Sequence, residues 1–220
     1  MKDDSNSKTE TLKLVKRSFA QYWVVLQFVS KFKGKIKVID VGSQDDKLKK
    51  IVPPNVECKS LDMDGQGDYN CDLNKRKIPV KAKTFDVTVC LETLEHVLYP
   101  NKVIDELIRV TKDNGFLIIS MPNEYNFWQR LIHLFGIKRD IIEINLEVVE
   151  KLGHIHKPRV CDIINLLSKK VEILEVIPIW QSTTGKTSDF FYFLDLIIKP
   201  LAKIYPSLFS RLVVVIAKKK

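Results

Sequence analysis

Three short apolar runs, each closed by a polar or glycine-bearing turn, constrain this 220-residue chain more than any other feature. They are Val38-Ile39-Asp40-Val41-Gly42, then Phe85-Asp86-Val87-Thr88-Val89-Cys90 with its continuation Leu91-Glu92-Thr93-Leu94-Glu95-His96-Val97, and Phe116-Leu117-Ile118-Ile119-Ser120-Met121 before Pro122-Asn123. Runs of this length read as strands, and a strand apolar at successive positions is covered on both faces. Helical spacing separates them. Over 101–111, Val103, Leu107, Ile108 and Val110 fall on one side, with Lys102, Glu106 and Arg109 mainly toward water. Alternating strands and helices make an α/β fold, a doubly wound and mostly parallel sheet, the economical arrangement. A ligand of such a sheet sits outside the carboxyl ends of its strands, where strand order reverses.

The rest of the chain fits around that frame. From 9 to 33, Leu12, Val15, Phe19, Trp23, Leu26 and Val29 recur at steps of three and four, so a long helix should lay one apolar stripe on the sheet until Gly34 ends it. Strand 36–41 leads into the turn Gly42-Ser43-Gln44 and a short helix through Leu48 and Ile51 that Pro53-Pro54 stops. Residues 56–61 read as the second strand and 62–72 as an acidic, glycine-bearing loop with one short strand inside it. Residues 85–90 form the fourth strand, and a helix carrying Glu92, Glu95 and His96 near its start follows the turn after it. Beyond 123, helices are expected at 125–135, 141–152, 158–167 and 190–204, and strands at 171–176 and 212–217. One core of this size implies one domain, 1–220.

The net charge is +9, yet the basic residues scatter and thicken only at Lys75-Arg76-Lys77 and Lys218-Lys219-Lys220. That distribution describes a solvated surface better than a nucleic-acid stripe. Cys58, Cys71, Cys90 and Cys161 stand far apart, three of them in or beside strands, which suits small buried apolar residues in a reducing compartment. The polar residues 1–10 lack the apolar centre of a secretory leader, and no stretch has the apolar length of a spanning helix, so a cytoplasmic protein is expected. Phe127, Trp128, Leu131, Leu134 and Phe135 share one side of helix 125–135, as a lid over a pocket or as core. Three placements are open to the apolar run at 187–206: over the sheet, against a second copy of the chain, or on a membrane surface.

Taken in order, Asp40-Val41-Gly42-Ser43-Gln44, Leu61-Asp62-Met63-Asp64, Cys71-Asp72-Leu73-Asn74, the run 85–97 and the run 106–123 resemble the class I S-adenosylmethionine-dependent methyltransferases. The likeness is to the small-molecule group with Leu94-Glu95-His96 after the fourth strand; it covers about 35–123 well and Gly153-His154-Ile155-His156 loosely. It implies a Rossmann-like sheet of seven strands whose last strand is antiparallel, a cofactor-binding half at 35–123, an acceptor-side half at 124–220 with helical insertions, and S-adenosylmethionine as cofactor. By the same resemblance Asp40, Gly42 and the Ser43 backbone face the methionine part of that cofactor, Asp62 holds its ribose and Met63 packs on its adenine. Asp72 and the Leu73 backbone meet the adenine amino group, and Cys90, Leu91 and Glu92 line the cofactor after the fourth strand. The family usually has glycine where Gln44 and Asp46 stand here.

Each residue also has a plainer reading. Asp40 caps a turn as readily as it faces a ligand, and Asp62, Asp64 and Asp72 are also turn acids. Asp62 is preferred to Asp64 for the ribose because it directly follows the apolar Leu61. The reaction expected is methyl transfer to a small-molecule, glycan or lipid-precursor acceptor by direct displacement at the sulfonium methyl, which needs alignment and exclusion of water more than acid–base help. For a hydroxyl acceptor the candidate bases are His154 and His156, each also readable as a loop histidine, while Glu95 and His96 read as helix and packing residues. A metal is not expected, because the pair His154 and His156 has no third ligand at a diagnostic spacing. Gln44 and Asp46 leave open a degenerate methyltransferase-like binding subunit. Nucleic-acid methylation is disfavoured, since Cys90-Leu91-Glu92-Thr93 offers no base-stacking turn, and a nicotinamide dehydrogenase wants the GxGxxG that Gly42-Ser43-Gln44-Asp45-Asp46 lacks.

Overall fold

The computed structural model describes residues 20–65, 67–136, 153–180 and 198–220. In chain order these form α1 (Ala20–Val29), β1 (Ile36–Val41), α2 (Lys47–Ile51), β2 (Val56–Asp62), β3 (Tyr69–Asn70), β4 (Phe85–Leu91), a single 3₁₀ turn (Leu94–His96) and α3 (Pro100–Val110). There follow β5 (Thr111–Pro122), α4 (Phe127–Leu134), α5 (Val160–Ser168), β6 (Val171–Ile179), a helical stretch at 198–204, α6 (Pro206–Phe209) and β7 (Leu212–Lys219). The seven strands lie in the order β3-β2-β1-β4-β5-β7-β6. β1 through β5 pair in parallel, and β7 alone runs antiparallel, wedged between β5 and β6. This is the doubly wound sheet with an antiparallel last strand that the sequence implied. Strand order reverses between β1 and β4, where the turns that leave them diverge and open a crevice.

Both faces of the sheet are covered, which is why its strands are apolar at successive positions. Ile39, Val41, Leu117, Ile119 and Val215 face α3 and α5 through Val103, Ile104, Leu107, Ile163 and Leu167. Val38, Val87, Val89, Ile118 and Val214 face the other way, onto Val25 and Val29 of α1 and Leu48 of α2. Each such side chain contributes about 1.5–3 kcal/mol by leaving water.

Local chemistry moved several boundaries. Of the helix expected over 9–33, residues 9–19 lie outside the described residues, and α1 ends at Val29 rather than at Gly34. The Ser30 hydroxyl donates back to Leu26 O at 2.6 Å, while the Asn55 amide donates to Phe32 O and Gly34 O, both at 3.1 Å, and draws the chain off the helix axis. After β4 only the 3₁₀ turn forms, because Pro100 occupies the first turn of α3 and starts that helix later. β5 begins at Thr111, whose hydroxyl shares a 2.7 Å hydrogen bond with that of Thr88; the register shifts before Val87 pairs with Phe116, and Asn114 in the intervening stretch takes φ 60. Nor does α3 leave Glu106 and Arg109 to water. Glu106 accepts from Ile78 N–H at 3.0 Å, and the Arg109 guanidinium donates to Ile78 O and Val80 O, each at 2.8 Å.

The helix expected at 141–152 and most of the run at 187–206 lie outside the described residues. Within the end of that run Ile198 and Ala202 are buried and Ile204 is exposed. No described helix is long and apolar enough to cross a membrane. Cys58, Cys71 and Cys90 are buried, Cys161 is exposed, and all four are free thiols.

Candidate active site

A crevice of about 960 Å³ opens beyond the carboxyl ends of β1, β2 and β4. Small-molecule sites span about 300–1,000 Å³, so there is room here for a nucleoside-sized ligand and a second small molecule beside it. Its floor is the turn after β1. Gly42, Gln44 and Asp46 adopt φ 79, 50 and 55, three left-handed residues at alternate positions. Only glycine takes that conformation without cost. The backbone path of a glycine-rich turn is therefore kept, and the exposed Gln44 lines the crevice.

Two contacts hold this path. Gln44 N–H donates to Asp62 Oδ2 at 2.8 Å, fastening the turn to the end of β2, and Asp64 N–H donates to Asp62 Oδ1 at 3.2 Å. At Gly42 a Cβ would come within 2.6 Å of Thr93 Cγ2. Thr93 cannot withdraw freely, because its hydroxyl reaches Leu91 O at 3.0 Å and Val41 O at 3.3 Å across the point where strand order reverses. Gly42 is thus required by the packing of this turn against the one after β4, before any ligand is considered.

Of the ten residues that the resemblance assigned to the cofactor, Gly42, Asp62, Met63, Asp72, Leu73, Leu91 and Glu92 line the crevice. Met63 is 55% exposed, an apolar platform on the wall. The Asp72 carboxylate accepts from Asn74 N–H and pairs with Lys75, both at 2.9 Å, and the Lys75 contact is the main reason its pKa lies below the ordinary carboxylate range. Asp40, Ser43 and Cys90 sit behind the walls with buried side chains. Asp40 Oδ2 has no hydrogen-bond partner, and burial first, then the charges of Asp46 and Asp62, push its pKa up to about 7. Burial likewise pushes the Cys90 thiol well up.

The far end of the crevice is built from the turn after β4 and from 153–156. Ile155 N–H and His156 N–H donate to Glu95 O at 2.9 and 3.1 Å, pinning that later segment to the 3₁₀ turn. Glu95, His96 and His154 face the crevice; His156 does not, and its Nε2–H donates to Val97 O at 2.9 Å. Glu92 leaves β4 at φ 49 and accepts from the Gln21 amide of α1 at 3.1 Å. Burial raises the Glu92 pKa and, with both oxygens lacking a partner, pushes that of Glu95 up to about 8. Burial lowers the pKa of His96, whereas the Glu124 carboxylate raises that of His154. Gln21, Glu95 and His96 were not among the site residues expected. The spacing Glu92-x-x-Glu95-His96 was the available signal, one that a reading as helix and packing residues set aside. From the start of α4 the crevice receives Asn126 and Gln129, while Phe127, Trp128, Leu134 and Phe135 are exposed and so are not core.

Six acidic residues line the crevice, Asp62, Asp64, Asp72, Glu92, Glu95 and Glu124, against three basic ones, Lys47, Lys75 and Arg211, in a chain whose net charge is +9. The excess of acidic over basic groups suits a cationic ligand such as a sulfonium bearing an ammonium.

The family model for the methyltransferase domain matches residues 17–169. Among solved structures, the chain is similar to a proposed methyltransferase from Bacillus halodurans C-125, with a TM-score of 0.56 and 16% identity over 89% of this chain and 97% of that one. An S-adenosylmethionine-dependent methyltransferase from Archaeoglobus fulgidus gives a TM-score of 0.54 at 16% identity, over 92% and 94% of the two chains. The [4+2]-cyclase SpnF gives 0.55 at 14% identity, over 96% and 80%. At these identities the likeness is one of fold. No curated protein matches the sequence significantly.

Proposed function

The chain belongs to the methyltransferase domain family, in its class I S-adenosylmethionine-dependent form, and from that premise we propose that the crevice transfers a methyl group to a small-molecule, glycan or lipid-precursor acceptor. When bound, S-adenosylmethionine supplies a methyl on a sulfonium whose departure leaves a neutral thioether. Asp62 accepts from the ribose hydroxyls with the lone pairs that the Gln44 and Asp64 amides leave over. Met63 lies against the adenine, and Asp72 with the Leu73 backbone meets its amino edge. Gly42 and the Ser43 backbone close on the methionine part, with the buried Asp40 beneath them. Leu91 and Glu92, at the end of β4, receive the ammonium, with Cys90 behind them. The acceptor enters between Asn126 and Gln129 on one side and the corner formed by Glu95, His96 and His154 on the other. Of the two histidines first considered as a base, only His154 faces that space. The buried free thiols suit a reducing, cytoplasmic setting.

The observation that carries this reading is the left-handed path at 42, 44 and 46, tied by Gln44 N–H to Asp62. It supports a functioning cofactor turn over a degenerate one, because the backbone has kept a costly conformation without the glycines that ease it. The test is Asp62→Ala. S-Adenosylhomocysteine affinity should fall by about 1–3 kcal/mol, the worth of hydrogen bonds to a charged acceptor. Unchanged affinity in a folded variant means that the ribose is held elsewhere.

A further inference from the structure

We propose that Glu95, His96 and His154 hold a divalent first-row transition cation at the acceptor end of the crevice. One potential ligand atom from each lies within 4.8 Å of the other two. The proposal goes beyond the methyl-transfer reading and does not depend on it.

Glu95 is the first argument. Its side chain is 1% exposed, lines the crevice, and leaves both carboxylate oxygens without a hydrogen-bond partner. Buried carboxylates are ordinarily paired, hydrogen-bonded or bound to metal. Its Oε1 stands 4.0 Å from His96 Nε2. Ligand atoms about 2.0–2.1 Å from a shared ion are about 3–3.5 Å apart, so side-chain movements of about 1 Å close the site.

The second argument is the support behind each ring. His96 Nδ1–H donates to Gly153 O at 3.2 Å, and His154 Nδ1–H donates to Glu124 Oε1 at 2.5 Å. Each bond fixes a tautomer that leaves Nε2 with the free lone pair, the arrangement that orients metal-bound histidines from behind. The rings meet edge to face, with centroids 4.9 Å apart. Backbone hydrogen bonds from Ile155 and His156 to Glu95 O hold the two chain segments in one unit, so the ligands do not have to find each other. Glu124 and Glu92 add negative charge beside His154. Two imidazoles and one carboxylate select zinc, cobalt, manganese or iron over magnesium or calcium.

The experiment uses the full chain without an affinity tag, stripped by a chelator, titrated with Co²⁺ and followed by its visible absorption. One equivalent should bind. Glu95→Gln and the half-exposed His154→Ala should each weaken binding by about tenfold or more, while His156→Ala and Cys161→Ser leave it unchanged. Retained melting temperature shows that the variants are folded. Absence of saturable binding, or binding that survives Glu95→Gln, His96→Ala and His154→Ala, overturns the site. S-Adenosylhomocysteine titrated into the same preparation separates the two readings. Its binding without cobalt removes the cation site alone, and cobalt binding without it supports the site and removes the methyl-transfer reading.

Discussion

Replacing Gln44 with glycine tests whether the fold imposes the left-handed turn against the preference of its residues. A side chain-bearing residue in this conformation costs roughly 1–2 kcal/mol. Glycine gives back about 0.5–1 kcal/mol of that in extra chain entropy lost on folding. Gln44 is exposed and φ is 50, so no buried contact offsets the difference, and its N–H bond to Asp62 survives the change. Gln44→Gly should therefore stabilise the protein by about 0.5–1 kcal/mol. Gln44→Ala removes the same side chain and keeps the Cβ, so it should change stability by less than about 0.5 kcal/mol. Urea unfolding measures both, with an unchanged slope showing that the unfolded state is not what moved. Asp46→Gly should gain less, since aspartate tolerates this region better and its carboxylate accepts from the Ser43 hydroxyl at 3.4 Å. Equal effects of glycine and alanine at 44, or a loss with glycine, would refute the argument from backbone strain.

Asp40 gives a pH signature. With a folded pKa of about 7, well above the ordinary value, the folded state holds a proton that the unfolded state releases from about pH 4 upward, so this group's contribution falls between about pH 4 and 7 and is flat above. Asp40→Asn lacks that slope, and its stability relative to the parent should rise by up to about 4 kcal/mol from pH 4 to 8; a pH-independent difference in paired denaturation curves counts against it. Gly42→Ala should cost about 2–4 kcal/mol through its φ of 79 and its overlap with Thr93. Adding Thr93→Ala should recover about 1–2 kcal/mol in a double-mutant cycle, whereas strict additivity would place the strain elsewhere.

The strands were legible because burial on both faces writes itself as successive apolar residues, whereas the place of the reversal, between β1 and β4, came from the strand order itself. What determined the turn after β1 is a backbone torsion. Residue identity at 44 and 46 spoke against a glycine-type turn, whereas φ values of 50 and 55 show that its left-handed backbone is kept, with Gln44 lining the crevice. The corner of Glu95, His96 and His154 was illegible for a different reason: Glu95 O is captured by the amides of Ile155 and His156, main-chain bonds that any residues could make. Two histidines one residue apart looked like a pair, but they point to different places, His154 to Glu124 and His156 to Val97 O. Polar residues on an outer helix face misled in the same way, since Glu106 and Arg109 serve the main chain at 78–80 rather than water.

The central claim is that the turns after β1 and β2 together bind an activated-methyl nucleoside. Isothermal titration of the purified full chain with S-adenosylmethionine tests it most directly. Saturable binding of one equivalent, displaced by S-adenosylhomocysteine and weakened by Asp62→Ala, is the expected result. A folded protein that gives no binding heat with either compound, and no shift in melting temperature on adding them, would contradict it.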